Sequence, residues 1–141
     1  MNKILILGAG SFAGSSLVDF LLKKKLKIIG INRTIYKKKY FFPFKNNDKI
    51  KNLLLYKINI NNKKDLKKLF KIIKSNKIEY IVDFLGQGMV EQSWDNPEHW
   101  IETNVLNKLK IINFIVKNKI KIKKYIRIST PEVYGNNLKI L

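Results

Sequence analysis

The chain has 141 residues, 45% of them apolar, enough for one packed core of ordinary domain size. It has no cysteine, which excludes disulfides and thiolate metal sites, and its single histidine, His99, has no partner ligand nearby in sequence, so no metal role is assigned. A formal net charge of +19 brings nucleic-acid binding into question, but the lysines fall on helix ends, helix faces and loops without the interleaved aromatic platform of single-strand binders, which reads as solvated surface.

Lys3-Ile-Leu-Ile-Leu7 is a short apolar run that suits a strand buried on both faces of a parallel sheet. It stops at Gly8, far short of a membrane span or a signal h-region, so a cytoplasmic protein without a membrane partner is expected. From Phe12 the spacing of Leu17, Val18, Phe20, Leu21 and Leu22 predicts a helix, closed by Lys23, Lys24 and Lys25 in favourable relation to its dipole. Lys27 to Asn32 reads as a second buried strand. Residues 33–52, with Pro43 and several Asn and Lys, read as a loop.

Leu53 to Ile58 is a predicted third strand, and Leu66, Leu69, Phe70, Ile72 and Ile73 then lay an apolar stripe along a lysine-rich helix. Tyr80 to Leu85 is a fourth strand, Trp100 to Val116 a long helix, and Tyr125 to Ser129 a fifth strand. Strands alternating with helices imply right-handed crossovers and a doubly wound, mostly parallel α/β sheet ordered 3-2-1-4-5, with residues 1–141 forming one domain. Ligands of such sheets bind beyond the strand C-termini, which directs attention to the segments that follow each strand.

Gly8-Ala-Gly-Ser-Phe-Ala-Gly14 links the first strand to the first helix, the context in which a glycine-rich loop accommodates a dinucleotide pyrophosphate. Gly8 permits the tight turn, small residues at Ala9, Gly10 and Ser11 let backbone approach the anion, Gly14 allows close helix packing, and Phe12 and Ala13 are expected to join Gly8, Gly10, Ser11 and Gly14 in binding the cofactor. An acid that would bind an NAD ribose is expected about 20 residues further on. Asn32 stands there instead, followed by Arg33, and an amide beside a guanidinium favours NADP over NAD. Trp94 and Trp100 are expected to pack around the loop that follows strand four.

The loop resembles the G-x-x-G-x-x-G of the extended short-chain dehydrogenase/reductase family, the NAD-dependent epimerases and dehydratases: Gly8, Phe12 and Gly14 match, and Ser11 replaces the middle glycine. Asp83 to Ser93, then Pro97 and Asn104, is similar in spacing to the family's [NH]-x-A-A-x-S-x-V-x-x-S, P and N-x-x-G-T; Leu85 and Gly86 replace the alanine pair and Asn107-Lys108 replaces Gly-Thr. Ser129-Thr-Pro-Glu-Val-Tyr-Gly135 resembles the S-T-D-E-V-Y-G of nucleotide-sugar 4,6-dehydratases of the dTDP-glucose and GDP-mannose type.

The resemblance implies a Rossmann-type domain holding NADP or NAD and acting on a nucleotide-sugar. Asn59 and Ile60 would meet the adenine, Leu85, Gly86 and Gln87 would lie by the nicotinamide ribose, and Asn104 would hold the active-site strand. In the dehydratases a hydride leaves sugar C4, a carboxylate takes the C5 proton, water departs from C6 and the hydride returns there. Thr130 would bond the 4-hydroxyl and Glu132 would be the C5 base. Pro131 replaces the aspartate that assists loss of the C6 hydroxyl, as GDP-mannose dehydratases also lack an acid there while keeping the glutamate. Tyr134 is expected to pack beneath the site.

The family's Y-x-x-x-K does not occur: no tyrosine here has a lysine four residues later. The resemblance therefore covers the whole chain but only the N-terminal part of such an enzyme, with the sheet incomplete at the C-terminus and the chain alone expected to be inactive. A 4-epimerase or reductase of the same family, a non-catalytic dinucleotide-binding module and a basic nucleic-acid-associated protein remain alternatives, in that order. Homodimerisation through a pair of helices is common in the family.

Overall fold

The computed structural model describes residues 3–35 and 42–135, the side chains of Pro131 and Glu132 excepted. Five parallel strands, β1 (Lys3–Leu7), β2 (Lys27–Asn32), β3 (Leu53–Lys57), β4 (Ile78–Asp83) and β5 (Lys124–Arg127), form one sheet in the order β3-β2-β1-β4-β5. The sequence therefore predicts both the strand set and their order. Strand four begins two residues earlier than its apolar run, because Lys3 pairs with Ile78 and the register then shifts so that Ile4 pairs with Tyr80.

Alternation within each strand sends side chains to two cores. Leu5, Leu7, Ile29, Ile31 and Ile81 meet Leu66, Leu69, Ile72 and Ile73 of α2 (Lys63–Ser75) and Ile111 of α5 (Asn107–Lys117). On the other face Ile6 and Ile28 meet Val18 and Leu22 of α1 (Phe12–Lys23). This second core is completed by Phe42 and Phe44, whose stacked rings lie 5.2 Å apart at the start of a 3-10 turn, Pro43–Asn46. A segment that reads as plain loop thus supplies two buried aromatics. It is tied to α1 by Asn47, whose amide donates to the Asp19 carboxylate at 2.8 Å.

Helix α1 departs from its sequence reading in one respect: Phe12 and Phe20 lie outside the buried face, which Gly14, Ser15, Val18 and Leu22 form instead. The long helix predicted from Trp100 starts earlier and is not uniform. α3 (Val90–Asp95) precedes α4 (Pro97–Ile101), and a π-helical turn, Glu102–Leu106, joins α4 to α5. The widened turn helps to aim Thr103, Asn104, Asn107 and Lys108 at the sheet end, and such turns recur at functional sites. Among the described residues no helix is long and apolar enough to cross a membrane.

Candidate functional site

A cavity of about 280 Å³ runs along the C-terminal edge of the sheet. Its lining unites Gly8, Gly10 and Ser11 after β1, Asn32 and Arg33 after β2, Asn59 and Ile60 after β3, and Leu85, Gly86 and Gln87 after β4. Ten of the residues singled out in the sequence therefore converge on one concavity. Ala13 and Phe12 do not line it, and Phe12 is 93% exposed. Gly14 lies behind the loop, buried against Gly8.

The glycine turn is held by backbone. The amides of Gly8 and Ala9 both donate to the Ile31 carbonyl, at 3.0 and 2.9 Å, and the Ser11 amide donates to Gly8 at 2.9 Å. Gly8 has a φ of +80°, in the left-handed region, and a Cβ there would meet Phe84 backbone at 3.2 Å. The Ser11 hydroxyl caps α1 by accepting from the Gly14 amide at 3.0 Å, and the first amides of a helix have no acceptor within the helix.

Asn32 lies over Gly10 and donates its amide to the Thr34 carbonyl, so among the described residues its own carbonyl oxygen is left for a hydroxyl donor. At the end of β3 the Asp65 carboxylate accepts from the Asn59 amide at 2.8 Å, and Asn59 in turn accepts from the Asn61 amide at 3.1 Å. Asn61 joins Thr103 at 2.8 Å and Asn107 at 2.9 Å, linking this loop to the π turn and α5. Asn104 grips the backbone of Gln87 twice, accepting from its amide at 2.9 Å and donating to its carbonyl at 3.0 Å.

Beneath Leu85 lies a polar cluster that the sequence reading missed. Asp83 is fully buried at the end of β4 and accepts from Lys108 at 2.6 Å, the Tyr125 hydroxyl at 2.8 Å and Arg127 at 3.3 Å. Its second oxygen accepts from the Leu85 amide at 2.9 Å. The signal was present in the sequence: a carboxylate inside the apolar run Tyr80 to Leu85 must find charged partners if the strand is buried. Lys108 was harder to find, since a helix lysine is normally solvated.

Burial, reinforced by the Asp83 charge and hydrogen bond, pushes the Tyr125 phenol above its ordinary 10.0. The neutral phenol is thus favoured in the folded chain, and its stabilisation is complete below 10.0 and lost as pH rises through the more alkaline range where only the unfolded phenol ionises. Lys108, lowered chiefly by burial, acts in the opposite sense, its desolvation penalty easing as pH rises. Between about pH 9.5 and about pH 11, Tyr125→Phe should therefore lose less stability than the parent chain, read as urea midpoints at stepped pH. Parallel curves would remove the phenol from the account.

Two further placements differ from the sequence reading. Trp94, expected to pack, is 83% exposed on the short α3, which contributes no buried residue. Tyr134 is exposed as well, on a 3-10 turn, Pro131–Tyr134. Thr130 precedes that turn and is exposed, while the side chain of Glu132 lies outside the described residues. Among the described residues no group of acidic, histidine or cysteine side chains is arranged to hold a metal ion.

Residues 5–140 match the family model described as GDP-mannose 4,6 dehydratase. The chain belongs to this family. It is 31% identical over 144 residues to an uncharacterized protein of Methanocaldococcus jannaschii, with 99% of this chain and 43% of that one covered. It is also 31% identical over 140 residues to the dTDP-D-glucose 4,6-dehydratase of Dictyostelium discoideum, covering 98% of this chain and 31% of that one. Among solved structures, the UDP-glucose 4-epimerase of Thermotoga maritima, determined with UDP-glucose, superimposes with a TM-score of 0.77 at 26% identity, over 98% of this chain and 41% of that one. The chain thus spans less than half the length of the curated relatives it matches. The family is that of NAD-dependent sugar-nucleotide dehydratases and epimerases.

Proposed function

We propose that the cavity is a dinucleotide site and that the chain is the NAD(P)-binding portion of a nucleotide-sugar 4,6-dehydratase. The observation that carries the reading is the single concavity in which the glycine turn, the end of β2 and the end of β3 meet Leu85, Gly86 and Gln87. A pyrophosphate fits at the opening of α1, where unpaired amides and the helix dipole favour an anion. The adenosine half then extends over Asn32, Asn59 and Ile60, and the second half over β4 towards β5. Arg33, exposed at the rim, suits a ribose 2'-phosphate, so NADP is preferred to NAD.

Thr130 and Glu132 follow β5, on the side towards which the second half would extend. In this reading Thr130 bonds the sugar 4-hydroxyl and Glu132 takes the C5 proton. A glutamate there supports dehydration, whereas the likeness to a 4-epimerase supports the second reading, epimerisation at C4 within the same family. The apolar stripe of Ile101, Val105, Leu109, Ile112 and Val116, all exposed along α4, the π turn and α5, offers a face for a second copy of the chain.

Calorimetric titration with NADP and NAD tests the site, with Ser11→Asp as the control. An aspartate keeps the helix cap but sets a carboxylate against the phosphates, so melting temperature should hold while saturable binding falls by more than about tenfold. Binding that survives Ser11→Asp places the ligand elsewhere. Tighter NADP binding that Arg33→Ala abolishes supports the guanidinium's role, and tighter NAD binding overturns it.

A further inference from the structure

The segment that leaves β4 has no regular secondary structure, yet side chains hold four of the six backbone polar atoms of Leu85, Gly86 and Gln87. Asp83 accepts from the Leu85 amide, Lys108 donates to the Leu85 carbonyl at 2.5 Å, and Asn104 binds both the amide and the carbonyl of Gln87. Asn104 and Lys108 lie four residues apart on one helical face, so a single face of the π turn and α5 grips both ends of the segment. Lys108 is 5% exposed, and its Nζ is committed to Asp83 and Leu85 rather than to the cavity.

A lysine at this place makes sense only with Asp83. An ammonium so deeply buried is unfavourable unless a carboxylate meets it, and burial lowers its pKa even with that partner present. The two groups come from different elements, 25 residues apart, and Tyr125 and Arg127 of β5 share the same carboxylate oxygen. Strand four, strand five and α5 are thereby locked together directly under Leu85.

We propose that Lys108 is a positioning residue for the half of the dinucleotide beyond the pyrophosphate: neutralised by Asp83, it holds the Leu85 carbonyl and so fixes the Leu85–Gln87 backbone as the floor of that half-site. This rests on the dinucleotide reading of the cavity. ADP occupies only the adenosine and pyrophosphate part, over β1, β2 and β3. NAD occupies the floor as well.

The test is a titration of the parent chain, Lys108→Met, and the double variant Asp83→Asn with Lys108→Met, each with NAD and with ADP. Lys108→Met alone leaves a buried carboxylate short of a partner and loses thermal stability. The double variant removes both charges, retains an acceptor for the Leu85 amide and recovers the melting temperature. Expected is a fall of about tenfold in NAD affinity for both variants, with ADP affinity within about twofold of the parent. A double variant that regains NAD affinity along with its melting temperature overturns the proposal, as does a loss shared equally by NAD and ADP. Equal affinity of the parent for the two ligands also overturns it, since no second half-site would exist to position. If the parent binds neither ligand, the dinucleotide reading itself fails, an outcome distinct from all of these.

Discussion

Replacing Asp83 with alanine should bring the chain to the edge of unfolding at room temperature. The variant leaves the Lys108 ammonium buried without its counter-ion and deprives Tyr125 and Arg127 of the acceptor they share. Breaking a buried pair from one side costs about 3–5 kcal/mol, against a total stability of about 5–15 kcal/mol for an ordinary domain. By contrast, the Lys23–Asp19 pair on α1 joins an exposed lysine to a half-buried carboxylate that keeps its bond from Asn47, so Lys23→Ala should change little. Urea denaturation compares them directly. An Asp83→Ala midpoint within experimental error of the parent would mean that the cluster makes no net contribution and that Lys108 finds water in its place.

Gly14→Ala should also be costly, although alanine is the better helix former. A Cβ at this position would sit 2.3 Å from the Gly8 carbonyl oxygen, 2.7 Å from the Ser11 hydroxyl and 3.2 Å from the Gly8 carbonyl carbon. The first and last of these are backbone, and the Gly8 carbonyl is engaged by the Ser11 amide, so it has little freedom to retreat. Helix propensity returns about 1 kcal/mol, while overpacking against a fixed group takes about 3 kcal/mol or more, so the net loss is about 2 kcal/mol. Gly88→Ala is the companion variant, because a Cβ there meets nothing within 4 Å and the stability change should stay within about 0.5 kcal/mol. Equal midpoints for the two variants would show that α1 shifts freely away from the glycine turn.

Much of the architecture was legible because it is local. Lys3 to Leu7 and Lys27 to Asn32 are short apolar runs ended by polar or glycine residues, and α2 carries a regular apolar stripe, so their type follows from period alone. The strand order follows from the doubly wound pattern that alternating strands and helices with right-handed crossovers adopt, in which the winding reverses beside β1. The candidate site was legible to the same extent: in a parallel sheet the residues after each strand share one edge, which brings Gly8, Asn32, Asn59 and Leu85 together whatever the packing details.

What stayed hidden depends on partners distant in sequence. α3 has six residues and no buried face, so no period announces it, and its Trp94 is exposed. Phe42 and Phe44 look like loop residues until α1 and β2 leave a space for their rings. Lys108 looks like one more solvated lysine in a chain that has many, and only the approach of β4 and β5 gives it a carboxylate to meet.

The sequence by itself determined the α/β alternation, the order of the five strands and the edge on which ligand chemistry belongs, because hydrophobic period and chain chirality act over short stretches. The tertiary structure alone decided which polar side chains are buried and what they hold. Desolvation and ion pairing are settled by neighbours in space, and at Asp83 those neighbours come from α5 and β5.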